Sequence, residues 1–507
     1  MRPESTHPPT PETGDLSEHR RMVSVFWTVL LSAMAGGMGW GIRGQYGHET
    51  GAMIAGLLVT LVLVVRLCPE ADAFLGARAC AWGTIAIGIG GSMTYGQTLG
   101  LTQNAPVIGN HAALAWGLLG TAVKGGAWIG FGGLFLGMGL GGVRYRPREL
   151  LLAILAALGL FFLGVWLLNS PYDPAARRLP AIYFSSTWQW FPESGPELRP
   201  RWEVWGGLWL ALVGLALWVG WGRRDRLAWR MALWGVLGGA LGFPLGQCLQ
   251  AGHAWHPEWF DRGWLAPLSA HLNWWNLMET TFGFVWGGLV ALGLCWHRRL
   301  IQLPAASGEA PRGGNAPGNP EAPATWEWIW LAVHLTLVVV GEFASWWVSD
   351  LYMDYSLVLA LIPIVAVAAG RWWPWLLLLP VTLIPIAGKT LQSLAFDNAV
   401  ISPFAGVVWY VVLPLTWVIA ATWWAARQGR QGTRAAVVLA PVLLLVTWAY
   451  FGLNFAFFRY PWPWQPWTIR TPHALFFFLC AVCLSVACVR AWRSKAPGAG
   501  SDREIRS

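Results

Sequence analysis

The side chains best suited to chemistry gather in one stretch, Gly36–Gly51. It reads Gly-Gly-Met-Gly-Trp-Gly-Ile-Arg-Gly-Gln-Tyr-Gly-His-Glu-Thr-Gly. Arg43 offers a planar fork of donors that matches a carboxylate or a phosphate. Gln45 carries two amide donors and an acceptor. His48 or Glu49 could move a proton, although a glutamate in a first helical turn also simply suits the helix dipole. Six glycines between Gly36 and Gly47 let backbones approach closely and free amide groups for other partners.

Fragments of this stretch recur. Gly36-Gly37 is followed after six residues by Gly44-Gln45, and Gly238-Gly239 after six by Gly246-Gln247. Gly90-Gly91 is followed after four residues by Gly96-Gln97. Each copy closes an apolar run, and an ionisable residue stands in or at the start of the next run: Glu49, Lys124 or Glu279. Lys124 and Glu279 are each followed eight positions later by a glycine pair, Gly132-Gly133 and Gly287-Gly288. The pattern reads as three related helical hairpins running in the same direction. Small residues permit close helix crossings in a bilayer, and Gln45, Gln97 and Gln247 can satisfy backbone groups freed at the hairpin tips.

Charged side chains at membrane depth are costly, and they face the protein interior. Gly283 and Gly287 extend the face of Glu279 at one and two turns, which aims it at a packed neighbour. Lys124 lies about twelve residues into its run. If the hairpins are equivalent, the two project into one zone, and a Lys124–Glu279 ion pair, direct or bridged by substrate, is expected. Glu342, near the end of a later run, joins the candidates, with His334 eight residues earlier on a similar face. The expected substrate- or ion-binding set is therefore Arg43, Gln45, His48, Glu49, Gln97, Lys124, Gln247, Glu279 and Glu342. No catalytic residue is assigned. His111, His253, His256 and His271 have no zinc-site spacing, so neither a metal nor a cofactor is expected.

The elements that must hold these groups are membrane helices. Hydrophobic residues are 55% of the chain and charged residues 12%, against about 25% charged in soluble proteins. Fourteen apolar runs follow a polar, proline-rich start that shows no cleavable signal: about 24–42, 51–67, 79–96, 112–142, 150–168, 204–221, 228–247, 274–296, 326–348, 355–370, 373–388, 403–424, 435–456 and 473–491. Most are long enough to cross a bilayer. The run 112–142 is overlong for one span, so a tilted or a broken helix is expected there. Many of the 39 tryptophans sit at run ends, where an amphipathic ring suits the interface. The expected fold is an all-α polytopic membrane bundle of about fourteen helices with repeated glycine-rich hairpins. The seven cysteines, including Cys480 and Cys483, fall mostly within apolar runs and read as packing residues.

The net charge of +9 does not mark a nucleic-acid binder. Arginine gathers in every second loop, from Arg20-Arg21 through Arg144, Arg146 and Arg148 to Arg490 and Arg493. By the positive-inside rule these loops and both termini are cytoplasmic, in a cell (inner) membrane. The expected division is a disordered tail 1–22, an eight-helix unit 23–301, a Gly/Pro/Ala linker 302–325, a six-helix unit 326–493 and a tail 494–507. The segment 169–203 is the longest opposite loop, either a surface cap or a passive connection.

No P-loop, G-x-S-x-G or H-E-x-x-H pattern is present. Expected partners are membrane lipids and a small solute or lipid-linked substrate. Two readings remain. One is a secondary transporter or flippase for an anionic, sugar-like or lipid-linked solute, in which Glu279, Lys124 and Glu49 couple to ions. The other is a membrane-embedded transferase at the extracytoplasmic face, using a lipid-linked or acyl donor.

Overall fold

Each of the fourteen apolar runs lies wholly or mostly on helix in the computed structural model. It describes residues 12–42, 48–91, 93–193, 198–306, 320–344, 346–355 and 357–493, with the side chains of 12–21, 48–50 and 342–343 excepted. The helices are α1 (Glu12–Ile42), α2 (His48–Leu67), α3 (Ala73–Gly90), α4 (Gly96–Gln103), α5 (His111–Leu140), α6 (Pro147–Leu168), α7 (Trp205–Leu217), α8 (Arg226–Trp255) and α9 (Trp274–Trp296). After the segment around 301–323 come α10 (Ala324–Phe343), α11 (Trp347–Asp354), α12 (Leu357–Ala369), α13 (Trp373–Leu378), α14 (Pro380–Leu391), α15 (Leu413–Arg430), α16 (Ala435–Phe457) and α17 (Thr471–Arg493). Short helical turns fill some of the loops. No strand occurs among the described residues.

Among the described residues, twelve helices are long and apolar enough to cross a membrane, or thirteen if α11 and α12, which meet at 82°, form one broken span. The expected count of about fourteen is not confirmed by length: the apolar part of α2, Gly51–Leu67, is shorter than the rest. The chain is a multi-pass membrane protein. Its outer surface carries large apolar side chains, such as Trp326 and Trp328 on α10 and Trp417 and Trp423 on α15, as a lipid-facing surface requires. The 112–142 run is one unbroken helix, α5. The 79–96 run breaks instead: α3 stops at Gly90, and α4 begins only at Gly96.

The repeated glycines sit where helices cross. A Cβ on Gly36 would collide with the carbonyl of Gly283, and one on Gly239 with the carbonyl of Gly125. These contacts press α1 onto α9 and α5 onto α8 at backbone distance. Adding α2 against α3 and the three hairpin pairs gives a closed ring, α1–α2–α3–α5–α8–α9 and back to α1. Thus the second helix of each hairpin packs on the first helix of the next. Aromatic side chains fill the ring. Trp40 meets Trp128, Phe282 and Trp286 edge-on at 5.0, 4.5 and 6.0 Å, and Phe243 stacks on Phe282 at 4.6 Å. Edge-to-face and offset pairs suit the ring quadrupoles.

The remaining helices pack outside the ring. α12 and α13 lie on α3, α16 on α2 and α3, and α17 on α1 and α16. α6 and α7 pair with each other beside α5. Loops assigned to one side by their arginines meet on one face. The Asp72 amide donates to the Pro304 carbonyl, that of Ala73 to Thr433, and that of Gln302 to Leu140. Arg144 pairs with Glu321 at 2.8 Å. This is the arginine-rich face, and the described tips between α3 and α5 and between α8 and α9 lie at the opposite one.

Candidate functional site at the mouth of the helix ring

The helix is interrupted between Gly90, the end of α3, and Gly96, the start of α4, at the face opposite the arginines. Broken backbone at this depth needs partners from side chains or water. Two charges of different helices reach the break. Lys124 of α5 donates to the Thr94 carbonyl at 2.8 Å. Tyr95, the next residue, donates its hydroxyl to Glu279 Oε1 of α9 at 3.1 Å.

Lys124 completes its set with Thr98 Oγ1 at 2.8 Å and Glu203 Oε1 at 2.6 Å. An ammonium has three donors, and all three are used. The expected ion pair with Glu279 is therefore replaced by a pair with Glu203, which stands at the foot of α7. Both side chains are 1% exposed. Glu203 also accepts from the Ser185 hydroxyl at 2.6 Å and the Phe184 amide at 3.0 Å. A buried pair with its lone pairs so satisfied meets the desolvation requirement.

Those partners come from the described part of the loop before α7, residues 169–193 and 198–203, which packs inward as a cap. Tyr183, Phe184, Ser185, Ser186, Thr187 and Phe191 are buried. The Trp116 indole donates to the Tyr183 carbonyl at 2.8 Å. The Tyr183 hydroxyl donates to the Arg201 carbonyl at 2.7 Å, and burial raises the pKa of this phenol. Gln97 clamps the other end of the cap: its amide nitrogen donates to the Arg199 carbonyl and its oxygen accepts from the Arg201 amide. Gln247 holds α8 to α4 through the Thr102 hydroxyl. These two glutamines bridge hairpin tips to their neighbours, and neither touches Glu279 in these bonds.

Glu279 is 2% exposed. Its Oε1 also accepts from the Trp275 indole one turn earlier at 3.1 Å, and Trp275 stacks on Tyr95 at 6.4 Å. Beside it lies a cleft of about 100 Å3 lined by Asn273, Trp275, Asn276, Glu279, Phe458, Tyr460, Arg470 and His473. That is room for several waters or a small polar group. Asn276 donates to the Gly41 carbonyl at 2.7 Å, which ties the end of α1 to the cleft. His473 Nε2 contacts the Asn273 carbonyl at 3.1 Å. Arg470 lies over the Phe458 ring at 4.1 Å. Burial lowers the pKa of this guanidinium and raises that of the Tyr460 phenol.

Chemically, the cleft offers a carboxylate that can hold or release a proton, a guanidinium for an anion, an imidazole and two amides. Glu203, Arg470 and His473 are absent from the set read in the sequence. Glu203 adjoins an apolar run, and Arg470 and His473 flank the start of the last span. Arg43 and Gln45 lie outside the described residues. His48, Glu49 and Glu342 have described helical backbone, but their side chains lie outside it. His334 Nδ1 contacts the Tyr352 hydroxyl at 2.9 Å. No group of three or more His, Cys, Asp and Glu able to hold a metal occurs among the described residues. No protein-family model and no curated protein matches the chain.

Proposed function

We propose that the protein is a secondary transporter of a small anionic or sugar-like solute, with Glu279 as its proton- or ion-coupling group. The observation that carries this reading is a buried carboxylate beside a polar cleft, bonded to a break in a membrane helix. Broken helices, internal repeats and buried ionisable groups are the means by which secondary transporters bind solutes and ions. In this reading Arg470 receives the anionic part of the solute, and Asn273, Asn276 and His473 its hydroxyl or amide groups. Arg43, Gln45, His48 and Glu49, which directly follow α1 in the chain, are assigned to the same solute. Lys124 and Glu203 hold the cap and the break in position.

The arginine-rich face is taken as cytoplasmic, in the cell membrane, which puts the cleft in the extracytoplasmic half. That one-sided position also favours the second reading, a transferase at the outer face with Glu279 or His473 as base. Reconstitution separates the two. Transport requires solute-dependent proton or ion flux that Glu279→Gln abolishes. Turnover of a lipid-linked donor without flux replaces it by the enzyme.

A further inference from the structure

A larger cavity lies away from Glu279, among α3, α5, α6, α7 and α12. Its volume is about 550 Å3, within the range of ligand pockets. Interiors are otherwise close-packed, so a space of this size is large enough to receive a ligand. The wall is hydrocarbon, with Phe131 and Phe135 of α5, Leu158 and Phe161 of α6, Leu208 of α7 and Ile364 of α12. The polar lining is Thr94, Arg201, Asp354 and Tyr355, all at the end facing the ring mouth.

Depth and charge identify the occupant. On α7 the lining runs from Val204 to Leu215, about 16 Å at ~1.5 Å per residue. That is roughly half of the ~30 Å hydrocarbon core, the depth of one leaflet. A second cavity of about 370 Å3 continues along α6 and α7, sharing Ala157 and Leu215 with the first and ending at Glu149 and Arg223. At the mouth, Arg201 lines the cavity, and its backbone is held by Gln97 and Tyr183. An anion suits Arg201, and a hydroxyl or amine donor suits Asp354.

We infer that this cavity holds the single hydrocarbon chain of an anionic amphiphile, with its anionic group at Arg201 and a donor of the same head group at Asp354. The inference needs binding only and stands apart from the transport reading.

Photolabelling tests it. The purified full chain in nanodiscs is irradiated with a diazirine-bearing oleoyl lysophosphatidate, and the labelled peptides are mapped. Label is expected on α6, α7 and α12. Unlabelled oleoyl lysophosphatidate should compete about tenfold better than uncharged monooleoylglycerol, the scale of one charge-assisted hydrogen bond. Arg201→Gln should remove that preference while monooleoylglycerol competes as before. Ala211→Trp from α7 and Ala360→Trp from α12, both buried alanines, should each fill the space and cut labelling about tenfold. Arg201→Gln changes an exposed side chain and keeps the test decisive if the tryptophan variants fold poorly. Label spread equally over the lipid-facing helices α10 and α15, or competition indifferent to head-group charge and to Arg201, would overturn the inference.

Discussion

Lys124 and Glu203 meet at 2.6 Å across 79 residues of sequence, each side chain 99% hidden from solvent. Removing one partner of such a pair leaves a buried charge uncompensated, at about 3–5 kcal/mol. Lys124→Gln and Glu203→Gln should each lower the melting temperature strongly. In a double-mutant cycle their effects should be far from additive, as for residues in direct contact. The charge swap Lys124→Glu with Glu203→Lys should recover part of the loss, whereas Lys124→Glu with Glu279→Lys should recover none. Rescue through Glu279 in thermal melts of the detergent-purified variants would contradict this pairing.

The ring depends on backbone contact at its glycines. Gly239→Val drives a branched side chain into the Gly125 carbonyl and should cost at least the ~1–3 kcal/mol of an overpacked core. Gly159 of α6 is the control, because a Cβ there meets nothing within 4 Å. Gly159→Ala should be neutral, or stabilising by up to about 1 kcal/mol from helix propensity. Equal losses at both positions in denaturation assays would remove the special role of the α5–α8 crossing.

Asp225 gives a pH test on the arginine-rich face. Its carboxylate caps α8 through the Ala228 amide at 2.9 Å and accepts from the Tyr145 hydroxyl at 2.9 Å. Burial raises its pKa above the ordinary value despite these bonds. The folded chain therefore binds this proton more tightly than the unfolded chain. The stability it contributes is present below the unfolded value of about 3.9 and is lost as pH rises through the folded value. Asp225→Asn keeps the capping oxygen and removes the titration. The melting temperature of the variant relative to the parent should rise as pH increases above about 4. A difference that is flat or falls with pH would contradict the burial argument.

Much of the helical layout is legible because its signals are local. Apolar runs mark the helices, and arginines mark alternate loops, which the fold then brings onto one face. The repeated glycine pairs indicate hairpins, and hairpin contacts close the ring. The break at 91–95 escapes such reading because Met93 and Tyr95 keep the segment apolar. Glu203 escapes because its partner is distant in sequence and its position beside Val204 reads as the last residue of a loop. The Lys124–Glu279 expectation failed for that reason: equivalent places in a repeat do not guarantee contact once another carboxylate satisfies the ammonium. Arg470 and His473 belong to the cleft only through the packing of α17 on α1.

Glu279→Gln tests the central claim most directly. Glutamine keeps an oxygen for the Tyr95 hydroxyl and the Trp275 indole, but it cannot carry a proton or a charge. The parent and the variant are reconstituted in liposomes with a trapped pH-sensitive dye and challenged with labelled small anions and sugars. The expected result is solute-driven proton movement and uptake in the parent and loss of both in a folded Glu279→Gln protein. Uptake by the variant at the parent's rate would contradict a coupling role for Glu279.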